Sequence, residues 1–232
     1  MKKFIVSIDA GTTSNRSILF DLKGRPVFSS QKEFTQYFPK SGWVEHNPEE
    51  IWKTTVKTLK DVIQKAKKLR GKILSIGITN QRETTVLWDK KTGKAIYKAI
   101  VWQDRRTEDF CKILRKKNKD TMIFNKTGLL IDSYFSGTKI KWILDNVSKA
   151  RGLMKKKQLL FGTIDSFLIW RLTKGKIHAT DATNASRTMI YNISSNKWDD
   201  TILKLLKIDK NILPDVKNCA DDFGATHPSI TG

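Results

Sequence analysis

The chain has 232 residues, 39% hydrophobic and 29% charged, with seven Trp and eleven Phe; this excludes a disordered polymer and fits a packed globular protein of one large domain or two small ones. Its 44 Lys and Arg against 23 Asp and Glu give a net charge of +21, but the basic runs 65–70, 115–119 and 155–157 are scattered and read as solvated helix faces rather than a nucleic-acid groove. Cys111 and Cys219 lack any CxxC or metal-type spacing, the apolar start ends at Asp9, and no stretch approaches the ~18 apolar residues of a membrane span, so neither a disulfide framework, a signal peptide nor a membrane anchor is expected, and a reduced, cytoplasmic protein is.

Three strands are expected to lead: 4–8, 16–22 after the polar turn Gly11-Thr12-Thr13-Ser14, and 26–30 after Lys23-Gly24. Asn47 as N-cap, Pro48 and Glu50 then predict a helix whose apolar stripe runs from Ile51 through Trp52, Val56, Leu59, Val62 and Ile63 to Ala66, with Gly71 closing it. A buried strand over 73–79, further strands over 84–88 and 95–101, helices over 107–117, 138–147 and 163–172, strands over 177–180 and 188–192, and a last helix over 199–206 complete the reading. With no internal repeat and no Pro/Gly/Ser linker, the class is α/β.

Two clusters carry chemistry. A strand that ends at Asp9, then a small hydroxyl-rich turn, then a returning strand suits a metal-bound polyphosphate. The backbone approaches closely at Gly11, Thr hydroxyls and N–H groups donate, and a carboxylate holds water-coordinated Mg²⁺. The same residues also suit an ordinary hairpin tip. Asn80-Gln81-Arg82-Glu83 follows the strand over 73–79; an Arg that only donates beside a Glu that only accepts suits a hydroxyl that does both, or a plain surface ion pair. Trp102 could cover the C–H side of a small polyol while the Tyr134 hydroxyl reaches its oxygens. Trp43, Trp52, Trp142, Trp170 and Trp198 read as core.

Taken in order, IDAGTTSNR, GWVEHNPEEIW, ITNQRETTVLWDKKTGKAIYKAIVWQDRRT, TGLLIDSYFSGTKIKWILD, LLFGTIDSFLIWRLT and TDATNASRTMIYNI resemble the FGGY carbohydrate kinases, and within them the glycerol-phosphorylating members, over nearly the whole chain. The resemblance implies an actin-like, ribonuclease H-like domain, with a mixed central sheet flanked by helices. Residues 1–232 would form the first domain of an enzyme that moves the γ-phosphoryl of ATP to glycerol. It places Thr12, Thr13, Ser14 and Arg16 at the nucleotide phosphates, Asp9 near Mg²⁺, and Arg82, Glu83, Trp102 and Tyr134 at glycerol. Ala10 departs from the Gln that many members carry. The family's Gly-Asp-Gln motif, whose Asp accepts the hydroxyl proton, does not occur in the chain. The resemblance therefore implies that the catalytic Asp, the adenosine pocket and a second domain lie elsewhere in the enzyme, and that this chain alone barely catalyses. TDATNASRT, Asp165 and Asp181 are expected to brace the fold; oligomeric state stays open.

Overall fold

The computed structural model describes residues 1–231. Apolar alternation places Phe4, Val6, Ile8 and Ala10 on one buried face of β1 (Lys2–Ala10). β2 (Ser14–Asp21) returns antiparallel, pairing Asp9 with Arg16 and Ala10 with Asn15, and β3 (Pro26–Glu33) pairs antiparallel with β2. After two short strands, β4 (Gln36–Tyr37) and β5 (Glu45–His46), comes α1 (Pro48–Lys68), then β6 (Gly71–Asn80), which lies parallel to β1. The strand order β3-β2-β1-β6 makes a mixed sheet.

The start of α1 is written locally. Asn47 has extended φ/ψ, its Oδ1 accepts the Glu49 N–H at 3.0 Å, Pro48 fills the first turn, and acidic and basic residues sit at the dipole ends that favour them. Glu50 does not close a capping box; its carboxylate accepts from the Thr35 N–H at 3.0 Å and the Tyr37 hydroxyl at 2.6 Å, tying the strand β4 to the helix. Ile51, Thr55, Thr58, Leu59, Val62 and Ala66 are buried, and the last three pack on Phe4, Val6, Ile8 and Leu19 of the sheet. Each fully buried aliphatic side chain contributes about 1.5–3 kcal/mol. Gly71 does not stop the helix, contrary to expectation: α1 ends with Leu69 as C-cap and Arg70 at φ 52. Gly71 opens β6, where a Cβ would lie 2.2 Å from the Phe4 ring.

The strand expected to be buried over 73–79 is half-exposed. β6 pairs only with β1 among the described residues, alternate residues face outward, and Leu74 is 49% exposed. Next come β7 (Val86–Asp89), β8 (Ala99–Ile100), α2 (Glu108–Lys116), α3 (Asp120–Thr127), α4 (Ser136–Asn146), α5 (Ala150–Lys155), β9 (Leu159–Gly162) and α6 (Ile164–Leu172). β10 (Ala179–Asp181), α7 (Ala182–Ala185), β11 (Tyr191–Asn192), β12 (Lys197–Trp198), α8 (Asp200–Leu206), a 3₁₀ turn (Lys210–Ile212), β13 (Asp215–Lys217) and α9 (Pro228–Thr231) follow. The strand expected over 95–101 shrinks to two residues, because Ala95 makes only an isolated bridge to Trp88 and the chain bends at Ile96 and Tyr97, the Ile96 N–H bonding the Leu87 carbonyl. The strand expected over 188–192 also shrinks: Met189 stands at φ 63, a left-handed value that no strand accommodates. α3, α5 and β9 were not expected, nor were the short elements β4, β5, α7, β12, β13 and α9. Trp170 and Trp198 are buried, whereas Trp43, Trp52 and Trp142 are only half-buried and lie against arginines.

Candidate functional site

β1 and β6 run parallel, so their C-terminal ends adjoin, with Ala10 opposite Asn80. The loops that leave them are thereby brought side by side at one edge of the sheet, where open α/β sheets favour ligands. The first loop is a tight turn: the Gly11 N–H bonds the Ser14 carbonyl at 3.0 Å, and a Cβ on Gly11 would crowd that oxygen at 3.1 Å. Thr13 is exposed, while Thr12 and Ser14 are half-buried. The Ser14 hydroxyl accepts from Gln31 Nε2 at 2.9 Å, and the exposed Arg16 donates twice to Gln31 Oε1, at 3.0 and 2.6 Å. Gln31 of β3 thus holds Ser14 and Arg16 on one side of the turn.

The second loop presents Arg82 and Glu83 in opposite ways. Arg82 is exposed and makes no ion pair among the described residues. Glu83 is 2% exposed, stands at φ 63, and receives Arg187 Nε on Oε1 at 2.6 Å. The Arg187 guanidinium also lies 5.7 Å from the Tyr134 ring centre and 5.0 Å from that of Phe135. Tyr134 meets Trp102 edge to face at 5.6 Å, and the Trp102 indole N–H donates to the Thr12 hydroxyl at 3.1 Å. That bond spans 90 positions of sequence and joins the Trp102–Tyr134 aromatic pair to the turn 11–14. Glu83, Tyr134 and Trp102 therefore line one contiguous face beside Thr12. Asp9 lies on β1 at the same edge.

Residues outside the expected set hold this face together. Gln81, 6% exposed, donates from Nε2 to the Gly11 carbonyl at 3.0 Å and to His46 Nδ1 at 3.2 Å, while its Oε1 accepts from the Thr84 hydroxyl at 2.9 Å. An Nδ1 that accepts leaves Nε2 to donate to Gln36 Oε1, 2.5 Å away, so His46 is the neutral Nε2–H tautomer. Burial pushes its imidazole down to about 4 against the pull of Glu50. Thr84 Oγ1 also accepts the Trp102 N–H at 3.3 Å. Asp165 is a brace, as expected: its carboxylate accepts from the Thr163 hydroxyl, from Thr180 Oγ1 at 2.7 Å and from Asn80 Nδ2 at 3.3 Å, and burial pushes it up to about 6 despite those bonds. Asp181 caps α7, accepting the Asn184 N–H at 2.8 Å. The TDATNASRT segment does more than brace, however, because its Arg187 is the partner of Glu83. Nothing local tied Arg187 to Glu83.

The residues fit a water-coordinated Mg²⁺ and not a protein-built metal cage. Asp9 is half-buried at the turn and accepts no hydrogen bond from another side chain among the described residues. No group of three His, Cys, Asp or Glu side chains is placed to hold an ion among those residues. Mg²⁺ on polyphosphate needs only one or two carboxylates, keeping waters for its other positions.

Residues 4–232 match the N-terminal domain of the FGGY family of carbohydrate kinases. The chain belongs to that family. It is 56% identical over 232 residues to a glycerol kinase of Rhizobium meliloti (strain 1021), covering 100% of this chain and 47% of that protein. It is 58% identical over 227 residues to a glycerol kinase of Brachyspira hyodysenteriae, covering 98% of this chain and 46% of the other. Among solved structures, Plasmodium falciparum glycerol kinase with ADP superposes with a TM-score of 0.94 at 35% identity, over 99% of this chain and 46% of that one. The chain thus spans about half the length of the FGGY relatives it matches, as their N-terminal part, and its mixed sheet is the actin-like, ribonuclease H-like fold of the family. No described helix is long and apolar enough to cross a membrane.

Proposed function

We propose that residues 1–232 are the first domain of a cytoplasmic, ATP-dependent glycerol kinase, and supply the polyol wall and one phosphate loop of its active site. The observation that carries this reading is the Trp102–Thr12 bond, which sets the Glu83–Tyr134–Trp102 face directly against the turn 11–14. A triol bound there would have its C–H side on Trp102, donate hydroxyl protons to Glu83 and accept from Arg82 and the Tyr134 hydroxyl. Arg187, by pairing with Glu83, keeps that carboxylate aimed and satisfied when the site is empty. Thr12, Thr13, Ser14 and Arg16 would donate to the phosphates of ATP. Mg²⁺, held through water by Asp9 and by the phosphates, would neutralise phosphate charge.

In the transfer, a terminal hydroxyl oxygen of glycerol forms a bond to the γ-phosphorus as the bond to the β–γ bridging oxygen breaks, and ADP leaves. The hydroxyl proton would pass to the Asp of the family's Gly-Asp-Gln motif, which does not occur in these 232 residues. Phosphoryl transfer is mostly positioning and charge neutralisation, so a single wall of the cleft binds without turning over.

The test is ADP formation from MgATP by a protein that carries this chain at the full length of its relatives, with glycerol, xylulose and gluconate offered separately. Glycerol-dependent turnover, absent from the 232-residue chain alone, is expected. Preference for either sugar substrate, or full turnover by the 232-residue chain, would count against the reading.

A further inference from the structure

The first turn of α4 touches every loop that builds the polyol face. Ser136 Oγ donates to the Glu83 carbonyl at 3.0 Å, and the Gly137 N–H donates to the Thr188 carbonyl at 2.7 Å, next to Arg187. Thr138 Oγ1 and Thr107 Oγ1 share a hydrogen bond at 2.9 Å, which reaches the loop that follows Trp102. Gly137 allows this approach, since a Cβ there would stand 2.9 Å from Ile190 and 3.0 Å from the Thr188 oxygen.

Lys139 completes the turn. It is fully buried, and its Nζ donates to the Tyr134 carbonyl at 2.7 Å and reaches the Glu83 carbonyl at 3.4 Å. We propose that Lys139 is a positioning residue: its buried amino group bridges the main chains of Glu83 and Tyr134 and sets the spacing of the two side chains that contact the polyol. The proposal rests on reading Glu83 and Tyr134 as polyol contacts.

Two further observations support it. Glu83 is held at φ 63, a conformation that costs a non-glycine residue on the order of 1 kcal/mol and persists only where neighbours enforce it. Its carbonyl takes Ser136 Oγ, Thr85 Oγ1 at 3.1 Å and Lys139, three donors that enforce it. Burial also pushes the Lys139 amine down to about 7, against the pull of Asp104, Glu83 and Asp132. A simple core position would be better served by an apolar side chain, because a buried amine is costly to keep. Among the described residues Lys139 makes no salt bridge, and its hydrogen-bond partners are the backbone carbonyls of Glu83 and Tyr134.

The experiment titrates the chain with glycerol calorimetrically, for the parent, Lys139→Met, Lys139→Gln and Glu83→Gln, with thermal melting alongside. Lys139→Met keeps the volume and removes the donors. Positioning predicts about tenfold weaker binding, in the range seen when groups that orient a contacting residue are removed, with no fall in melting temperature. Lys139→Gln keeps an N–H donor near the carbonyls and is expected to bind between Met and parent, a partial rescue that a purely structural role would not give. Loss of binding in Glu83→Gln with parental affinity in Lys139→Met overturns the positioning role; should the Met variant not fold, parental affinity in Lys139→Gln together with parental melting does the same. Parental affinity in Glu83→Gln, or no binding by the parent, overturns the polyol reading itself and this proposal with it.

Discussion

Replacing Arg106 with Met removes the cation from a sealed cluster next to the Trp102 loop. The Arg106 side chain is 0% exposed; it bonds Asp104 twice at 2.9 Å and Glu45 at 2.8 Å, carboxylates that are themselves 0% and 4% exposed, and it touches the Tyr97 hydroxyl at 3.3 Å. Its guanidinium stacks on Trp43 at 3.7 Å and faces Trp142 at 4.7 Å. With Met in its place, the buried carboxylates of Asp104 and Glu45 lose the cation that pairs them. Breaking a buried pair by removing one partner costs about 3–5 kcal/mol. For a chain of this size, 1 kcal/mol corresponds to about 2–4 °C, so melting should fall by about 6–20 °C. Arg106→Lys keeps the charge but not the planar fork, and should lose less. Calorimetric melting with urea unfolding as a second probe reads the effect. A fall in Arg106→Met of under about 3 °C, which is about 1 kcal/mol or less, would refute the view that this ion cluster is closed to solvent.

Acid should weaken the fold well above the carboxylate range. His46 is buried and His178 half-buried, and desolvation pushes both down to about 4, so between about pH 6.5 and 4 the unfolded chain binds protons that the folded one does not. Their contribution is complete above pH 6.5 and is lost as pH falls through 4, at about 3 kcal/mol each; urea midpoints that stay flat from pH 7 to 4.5 would contradict this. Gly71→Ala should destabilise by about 1–3 kcal/mol through overpacking, because the added methyl meets the ring of the buried Phe4; an unchanged melting temperature would show that the ring yields.

Much of the first ninety residues was legible because its signals are local. Alternation at Phe4, Val6 and Ile8 and the Asn47-Pro48 start of α1 each act within a few positions. Later elements lean on partners distant in sequence. α3 buries only Ile123 and Thr127, too little of a stripe to show as a helix, and β9 is four buried residues that periodicity cannot tell from a helix. Lys139 sits in a helix where a lysine reads as solvated, and only the fold reveals the two carbonyls around it. Arg187 lies 104 positions from Glu83, and Trp102 lies 90 from Thr12, so their meeting belongs to the topology and not to any motif spacing. Arg82 and Glu83 were picked out together by their chemistry, yet Arg82 is exposed while Glu83, at a left-handed turn, is buried against Arg187.

The most direct test is calorimetric titration of the 232-residue chain with glycerol, run beside Arg82→Ala and Glu83→Gln. Weak saturable binding in the parent is expected, weakened at least about tenfold in both variants, since a hydrogen bond to a charged group contributes about 1.5–3 kcal/mol. No binding by the parent, or equal binding by all three, would contradict a polyol site built on this chain.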